Sequence, residues 1–465
     1  MPSSLEVLLR LSRRLGALVW GPPMLALLLG TGIFLSIRCG FPQFRHARWI
    51  AQHTLGSLLH SGRGKDGTNL SPFQAMTTAL AGTAGTGNIA GVTGALFAGG
   101  PGAVFWMWVS ALFGMCTKYV EIALALRYRE KDAAGVYHGG PMYCIEHGLG
   151  PEFRWLGWLF AFFAACASFG IGNLAQCTEI ASVLQDLFGV RRLVSGLVLA
   201  ALTAFVLLGG VRRVGAVTAV LVPGMALFYL LAGLAVVLLR LPQVPAALAL
   251  IVRSAFSPRA IGGGVLGSGM MLAMRHGFAR GIFSNEAGLG SAPMAHAASA
   301  AQEPCEQALW GVFEVFLDTL VLCTVTALAV ILSGVLEVPG GLRDYGSNGA
   351  AAAAAFNHIL PGNLGGTVIR LGLLLFSLST LFSWGYYGSS CSHYLSRGRK
   401  GADTFFKLCF ALVCLPGALG SGAALWELSD TLNGLMALPN LVALLLLSGT
   451  AARMTRSYFA TGPGP

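Results

Sequence analysis

The residues Gly82–Gly91, which read GTAGTGNIAG, decide between two folds for this chain. Their glycine spacing resembles the phosphate loop of dinucleotide-binding proteins, which requires a preceding β-strand and an acidic residue about 20 positions later. The residues before them, 74–81 (QAMTTALA), favour a helix, and residues 105–109 (FWMWV) contain no acidic side chain. The stretch is therefore interpreted as a polar, glycine-rich interruption of a helix.

The composition predicts a membrane protein. Of 465 residues, 55% are hydrophobic and 11% are charged, whereas soluble domains carry about 25% charged residues. Apolar blocks such as 24–37 and 193–208 suit bilayer spans of about 20 residues, and the alternating segments of a transmembrane barrel are absent. The net charge of +11 comes from basic residues in loops between apolar blocks, which argues against a nucleic-acid-binding face. The predicted class is an all-α polytopic membrane protein.

We predict eleven transmembrane helices. Their approximate ranges are 18–37, 71–98, 103–126, 155–187, 193–209, 214–239, 262–284, 307–334, 367–395, 404–420 and 427–450. Longer loops lie at 38–70, 127–154 and 335–366, and the alanine run 350–355 in the last loop predicts a short covering helix.

A second glycine-rich interruption, Gly277–Gly290 (GFARGIFSNEAGLG), lies about half the apolar region after the first. Each interrupted span is the first of a set of five predicted spans. Because five is an odd number, the second set crosses the membrane in the opposite orientation to the first. Paired interrupted spans of this kind are typical of secondary transporters that bind substrate at mid-membrane. The predicted organisation is an N-terminal helix and cytoplasmic loop (1–70), a first inverted repeat (71–239), a connection (240–261), a second inverted repeat (262–450) and a C-terminal tail (451–465).

Lys and Arg residues predict the orientation in the membrane. They are more numerous in the loops that follow odd-numbered spans, and basic loops face the cytoplasm. This places the N-terminus outside and the C-terminus in the cytoplasm, although Arg10, Arg13 and Arg14 act in the opposite direction.

The first interruption offers two kinds of ligand group. Unwinding would free the amides of Thr86, Gly87 and Asn88, and the helix that resumes there presents its positive end to a carboxylate. The carbonyls freed at Ala81 and Ala84 would suit a small hard cation. The alternative is close packing of small residues without a ligand, which leaves the polar side chains unexplained.

The second interruption contains Arg280 and Glu286. Charged groups at membrane depth are costly and usually face a cavity or a partner. The two side chains either pair as part of a gate or fold lock, or lie at the cytoplasmic end of the helix where they reach water.

Two further spans contribute polar groups. Asn173 and Gln176 are three residues apart and share a helix face, so they either line a cavity or form hydrogen bonds to neighbouring helices. The adjacent hydroxyls of Ser379 and Thr380, beside freed carbonyls, would form an oxygen cage for Na⁺. Trp384 then either walls a small substrate pocket or packs in the core.

Four more charges lie in apolar spans. Lys118 and Glu121 are three residues apart and are predicted to pair. Glu314 and Asp318 are four apart and, as like charges, need donors nearby. Structural or gating roles are favoured over direct ion binding for all four.

Six segments resemble the alanine/glycine:cation symporter family, which has the leucine-transporter fold, and the resemblance covers nearly the whole chain. They are 71–75 (SPFQA), 85–91 (GTGNIAG), 99–108 (GGPGAVFWMW), 137–143 (YHGGPMY), 280–291 (RGIFSNEAGLGS) and 436–440 (MALPN). The resemblance implies cation-coupled uptake of small neutral amino acids by alternating access.

The same resemblance implies roles for individual residues. Sodium would bind the backbone oxygens of Ala81, Ala84 and Phe376 and the hydroxyls of Ser379 and Thr380. The substrate carboxylate would lie at Thr86 and Gly87, and the rest of the substrate would be enclosed by Asn173, Gln176, Met274, Phe278 and Trp384.

Three positions depart from the family pattern. Asn69 stands where the family often has an acidic residue, Ser383 where a glycine is common, and Ser389–Ser390 where an acidic residue is common. The first and last lie near loops and bear on gating, whereas Ser383 bears on substrate size.

The expected function is Na⁺-coupled import of alanine or glycine through a bacterial cytoplasmic membrane, by a monomer without an enzyme cofactor. The alternatives are proton coupling and a passive facilitator. A membrane enzyme is disfavoured because no cluster of His, Asp or Glu has the spacing of a metal or nucleophile site.

Overall fold

The computed structural model describes residues 14–58, 68–257, 268–338, 340–399, 401–420 and 423–461. Within these ranges the chain is almost entirely helical, and its one sheet is a hairpin of the two-residue strands β1 (Glu130–Lys131) and β2 (Tyr137–His138). The predicted all-α class is confirmed.

The helices of the first half follow the predicted spans closely. They are α1 (Pro22–Cys39), α2 (Pro42–Arg45), α3 (Ala47–Leu58), α4 (Pro72–Thr83), α5 (Val92–Gly99), α6 (Gly102–Arg127), α7 (Pro141–Tyr143), α8 (Arg154–Phe169), α9 (Ala175–Phe188), α10 (Arg192–Leu208) and α11 (Gly210–Leu239). The π-helical segments are Gly87–Gly91, Cys144–Leu149 and Gly170–Leu174, and the 3₁₀ turns are Pro151–Phe153 and Leu241–Gln243.

The second half begins with a helix inside the predicted connection. Its helices are α12 (Val244–Ala255), α13 (Ser268–Asn285), α14 (Ala292–Ala297), α15 (Pro304–Val315), α16 (Thr324–Leu332), α17 (Asn348–Asn357), α18 (Leu364–Leu395), α19 (Ala402–Ala418), α20 (Ala423–Leu446) and α21 (Ser448–Thr461). The π-helical segment is Phe316–Cys323, and the 3₁₀ turns are Val335–Glu337 and Gly341–Tyr345. The predicted C-terminal tail is helical as far as residue 461, and α17 forms over the alanine run.

Seven helical stretches of the described chain are long and apolar enough to cross a membrane. They are Arg14–Cys39, Gly102–Arg127, Pro151–Phe188, Gly210–Leu239, Pro304–Leu332, Leu364–Leu395 and Leu428–Leu446. The chain is therefore a multi-pass membrane protein. The count of eleven spans stays a prediction, because four of the predicted spans are not among these seven: the one that the first break divides into α4 and α5, and those of α10, α13 and α19.

The first interrupted helix begins at a capping box. The Ser71 hydroxyl accepts from the Gln74 amide at 3.1 Å, and the Gln74 side chain accepts from the Ser71 amide at 3.0 Å. Pro72 occupies the first turn, where it gives up no helical hydrogen bond. At the far end Ala84 has φ −73° and ψ 92°, so the chain leaves the helix there and resumes helical structure from Thr86.

The second interruption is shorter than predicted. Helix α13 continues through Asn285, and the break covers 286–291. Three residues in it have left-handed φ values, Glu286 at 54°, Gly288 at 94° and Gly290 at 85°. Glycine adopts such angles without steric cost, whereas glutamate does not.

Gly277 and Gly281 do not break α13 and instead allow it to pack closely on α6. A Cβ at Gly277 would overlap the Ala103 carbonyl oxygen, and one at Gly281 would overlap the Ser110 hydroxyl. Small residues at helix contacts are typical of membrane proteins, so these glycines mark a contact and not an unwound segment.

Candidate functional site

A cavity of about 160 Å³ borders both breaks. Its walls come from the first break, α9, the end of α13, α17, α18 and α20. The lining residues are Gly82, Thr83, Gly85, Thr86, Gly87, Ala90, Gly91, Ile171, Ala175, Gln176, Arg280, Phe283, Glu286, Asn348, Thr380, Trp384 and Asn433.

The cavity wall carries unpaired polar groups. Four buried side-chain atoms have no hydrogen-bond partner in the described part of the chain: Gln176 Oε1, Asn348 Oδ1, Asn433 Oδ1 and Trp384 Nε1. An unpaired buried polar group costs about 1–3 kcal/mol, which a hydrogen-bonding ligand would offset. Together with the charge of Arg280, the wall offers acceptors, donors and a positive charge to a small polar molecule.

Ser379 and Thr380 on α18 lie against the end of α4. The Ser379 hydroxyl donates to Phe376 O at 2.9 Å and to Ala81 O at 3.4 Å. The Thr380 hydroxyl donates to the same two oxygens at 2.9 and 3.1 Å. Four oxygen atoms therefore converge beside the first break, and an oxygen-only donor set fits a hard cation. Ala84, the fifth predicted member, ends α4 and has left the helical conformation.

The predicted substrate residues divide into two groups. Thr86, Gly87, Gln176 and Trp384 line the cavity. Four others do not, and each has another contact or packing position: Asn88, Asn173, Met274 and Phe278.

Asn88 and Asn173 hold helices together. The Asn88 side chain accepts from the Gly85 amide at 2.9 Å and donates to Asp318 Oδ1 at 2.6 Å. Asn173 donates to the Phe410 carbonyl at 2.6 Å. Both side chains are fully buried. Of the two alternatives for the Asn173–Gln176 face, Asn173 forms a hydrogen bond to a neighbouring helix and Gln176 lines the cavity.

Met274 and Phe278 lie too early on α13 to reach the cavity. Met274 packs against the apolar core, and the Phe278 ring contacts Trp106 with ring centroids 5.4 Å apart. Because the second break starts after Asn285, the wall from this helix is formed by Arg280 and Phe283.

Phe283, Asn348 and Asn433 were not predicted to line the cavity. Asn348 begins α17, whose alanine run predicted a covering helix but gave no sign of which polar residue meets the cavity. Arg280 was identified as a charged residue in an apolar helix, and it lines the cavity.

Lys118 and Glu121, which were predicted to pair, each contact another residue. Lys118 Nζ lies 3.9 Å from Glu314 Oε1 and is not paired with Glu121 among the described residues. Glu121 Oε1 instead accepts from the Gly288 amide at 3.0 Å and from Asn440 Nδ2 at 2.6 Å. The second break is thus held by a side chain from α6 and one from α20.

Arg280 and Glu286 form no ion pair in the described ranges. The Glu286 carboxylate accepts from the Ser291 hydroxyl within its own loop. The Arg280 guanidinium lies over the Phe283 ring at 5.6 Å and within electrostatic range of Asp430.

Glu314 and Asp318 both have donors nearby. Glu314 accepts from Thr83 Oγ1 at 3.4 Å and lies 3.2 Å from His296 Nε2. Asp318 accepts from Asn88, from Ser284 at 2.7 Å and from Thr319 at 2.9 Å. Both carboxylates therefore connect the first break to α15 and the π segment after it.

Polar contacts attach the segment before α4 to the β1–β2 hairpin. Asn69 donates to Gly135 O at 3.1 Å and accepts from the Tyr137 amide at 2.9 Å, which ties it to the β1–β2 hairpin. Arg129 donates to Ser299 O at 2.6 Å, beyond α14. We call these contacts the hairpin latch; they join α4, the hairpin and the segment after the second break.

A second cavity of about 600 Å³ lies next to the hairpin, between the loop before β2, the end of α18 and the start of α19. The rings of His138 and His393 stack there with centroids 4.0 Å apart. Burial raises the pKa of the Asp132 carboxyl, but hydrogen bonds from the Val136 amide and from His138 lower it by more. The pKa of Asp132 therefore lies below its ordinary value.

The departures from the family pattern lie outside the smaller cavity. The Ser383 hydroxyl donates to Thr78 O at 2.6 Å, and Ser389 donates to Asp403. Ser389 and Ser390 line the larger cavity instead.

Comparisons with known proteins agree along the whole chain. The profile of the sodium:alanine symporter family matches residues 6–462. The sodium/alanine symporter AgcS of Methanococcus maripaludis is 46% identical over 95% of each chain. The probable sodium/glutamine symporter GlnT of Bacillus subtilis is 34% identical over 95% of this chain and 88% of its own.

A solved structure shares the fold at low sequence identity. A mutant of the manganese transporter of Eremococcus coleocola matches with a TM-score of 0.50 and 14% identity, over 85% of this chain and 88% of its own. At 14% identity the match shows a shared fold.

Proposed function

This chain belongs to the sodium:alanine symporter family, and from that premise we propose that it imports a small neutral amino acid together with Na⁺ by alternating access. Membership makes it a transporter and not an enzyme. The observation that carries the finer proposal is the position of Thr380, whose side chain joins the oxygen cluster and also borders the cavity.

The proposed sodium site couples the ion to the first break. A cation bound by Ala81 O, Phe376 O and the two hydroxyls would replace the hydroxyl–carbonyl hydrogen bonds. It would thereby hold α18 against the end of α4. The same contact sets the position of Thr86 and Gly87, so ion binding and substrate binding favour the same arrangement. A differential effect of this kind is what coupling requires.

The proposed substrate is alanine or glycine. Its carboxylate would lie at Thr86 and Gly87, where the resumed helix presents its amino end, with the Arg280 guanidinium on the same wall. Its ammonium would meet the unpaired oxygens of Gln176 and Asn433. Trp384 closes the cavity, and a contact of Gly172 with Trp384 leaves no room for a Cβ between α18 and the π segment before α9.

We place the hairpin latch and the larger cavity on the cytoplasmic side of a bacterial inner membrane, with the N-terminus outside. In that orientation the latch closes the cytoplasmic route, and the larger cavity lies where substrate would leave once the latch opens. The 5+5 inverted repeat predicted for 71–239 and 262–450 would supply the two halves that rock against each other.

Purified protein in liposomes tests the proposal. With labelled alanine outside and an inward Na⁺ gradient, we expect accumulation above the external concentration, which collapses when the gradient is removed. Flux that only equalises the two sides, at the same rate with or without Na⁺, would identify a facilitator instead. A panel of competing amino acids in the same assay ranks alanine, glycine, serine and glutamine.

A further inference from the structure

Four buried carboxyl groups lie between the two breaks, and Lys118, which pairs with Glu314, is the one buried ammonium among them in the described part of the chain. Glu121, Glu286, Glu314 and Asp318 are each exposed by 5% or less, and Lys118 is fully buried. Two polar atoms in this cluster have no hydrogen-bond partner among the described residues, Lys118 Nζ and Glu121 Oε2. Uncompensated charge at membrane depth is costly, so four ionised carboxylates exceed what one ammonium balances.

The His296 ring connects Gln307 to the carboxyl cluster. Gln307 Nε2 lies 2.9 Å from His296 Nδ1, and the Gln307 carbonyl oxygen accepts from Ser299 at 3.0 Å. His296 Nε2 lies 3.2 Å from Glu314 Oε2. His296 therefore contacts Glu314 and not Glu286 in the described part of the chain.

The hydrogen bonds separate the four carboxyl groups. Glu314 and Asp318 have several donors each, and Glu121 has two. Among the described residues Glu286 has a single side-chain donor, Ser291, and of the four carboxyl groups only Glu286 lines the substrate cavity. Donors stabilise the ionised form of a carboxyl group, so Glu286 is the group on which a neutralising proton is best placed.

We propose that Glu286 is a proton-binding site of the transport cycle, which accepts a proton from water on the outer side of the cavity and releases it to water on the cytoplasmic side. The inference rests on the proposed function, because it adds a proton to the Na⁺-coupled cycle. Neutral Glu286 leaves the cluster with less excess negative charge while the cavity is closed. Loss of the proton adds a negative charge beside the cavity and favours its reopening.

Charged and titratable groups face Glu286 from every element packed around the break. Those within electrostatic range of Glu286 are Lys118 on α6, Glu314 and Asp318 on α15 and its π segment, and Tyr387 on α18. Other charged or titratable groups lie around these: Glu121 on α6 interacts with Lys118, His296 on α14 lies beside Glu314, and Arg280 on α13, which lines the same cavity as Glu286, interacts with Asp430 on α20.

The experiment measures proton movement directly. Liposomes contain the full-length protein and a trapped pH-sensitive dye, with equal Na⁺ and pH on both sides and the potential clamped by K⁺ and valinomycin. Adding alanine outside should acidify the lumen in the wild type. Glu286→Gln, which stays neutral, should abolish the acidification yet still exchange external labelled alanine for internal alanine. Glu152→Gln, an exposed residue outside the cluster, should acidify like the wild type.

The outcomes separate this inference from the proposed function. Na⁺-driven accumulation without acidification in the wild type would overturn the proton site and leave the symporter intact. Acidification that persists in Glu286→Gln, or loss of alanine exchange by a folded Glu286→Gln protein, would also overturn it; the latter would mean that Glu286 holds the substrate ammonium. If Glu286→Gln does not fold, Glu286→Asp keeps a titratable group, and the pH midpoint of its uptake must shift; an unchanged midpoint would overturn the proposal.

Discussion

The two breaks that border the cavity are built on different principles. At the first, amide and hydroxyl side chains contact the broken backbone: the Asn88 side chain accepts from the Gly85 amide, and hydroxyls from α18 reach Ala81 O. Within the described chain, carboxylates act there only through side chains, as Asp318 does through Asn88. The second is held by the backbone itself, through three left-handed residues, and by the Glu121 carboxylate at the Gly288 amide. The first break therefore gathers oxygen atoms, whereas the second is contacted by a carboxylate.

Glycines serve the two breaks for different reasons. At the first, Gly82 and Gly85 leave space for α18, because a Cβ at these positions would lie 2.8 Å from the Tyr387 hydroxyl and 3.0 Å from Thr380 Oγ1. At the second, Gly288 and Gly290 supply φ values of 94° and 85°. Glycine is therefore required at the first break by the contact with α18 and at the second by the backbone conformation. Different mutations should affect the two breaks independently.

The largest effect is expected from Gly288→Ala. The left-handed conformation costs a non-glycine residue about 1–3 kcal/mol, and the new Cβ would also lie 2.5 Å from Leu28 Cδ2. We expect a marked fall in melting temperature and in the yield of folded protein, measured by size-exclusion chromatography after heating.

Gly346→Ala is the matched control for this change. Gly346 has φ 76°, and no described atom lies within 4 Å of the added Cβ. Its alanine variant should therefore lose only the stability that the left-handed backbone conformation costs. Equal losses for the two variants would contradict the assignment of a packing constraint to the second break.

A smaller effect, confined to the ion, is expected from Thr380→Ala. Removing one hydroxyl that contacts a charged ligand costs about 1.5–3 kcal/mol, so the Na⁺ concentration for half-maximal alanine uptake should rise about tenfold or more. Thr367→Ala on the same helix removes an exposed hydroxyl that bonds to Asn363 O and should leave Na⁺ dependence unchanged. An unaltered Na⁺ dependence in Thr380→Ala would remove this residue from the site.

The smallest effect is expected from Asn440→Ala at the second break. Asn440 donates to Glu121 at 2.6 Å and to Gly288 O at 2.9 Å, so its loss should cost about 1–2 kcal/mol and lower the melting temperature. The Na⁺ concentration for half-maximal uptake should not change. A parallel rise in that concentration would show that the two breaks respond as one unit.

Sequence reasoning placed the first break well and the second poorly, for one physical reason. Glycine next to polar residues in an apolar block signals either unwinding or a close helix contact. At Gly85 the break and the contact coincide, whereas at Gly277 and Gly281 only the contact exists. The pair Asn173 and Gln176 shows a related limit, because their spacing gives a shared helix face but not which neighbour each side chain meets: Gln176 lines the cavity, whereas Asn173 donates to Phe410 O.

The sequence by itself determined the local properties of this protein. Apolar length requires helices in a bilayer, because no water is present there to satisfy the backbone. The capping box at Ser71 and the glycines of 286–291 set where helices begin and bend. Only the tertiary structure decided the partners: Lys118 meets Glu314 and not Glu121, and Asn88 meets Asp318 and not the cavity. Contacts between residues far apart in the chain depend on how helices rotate against each other, which no local pattern encodes.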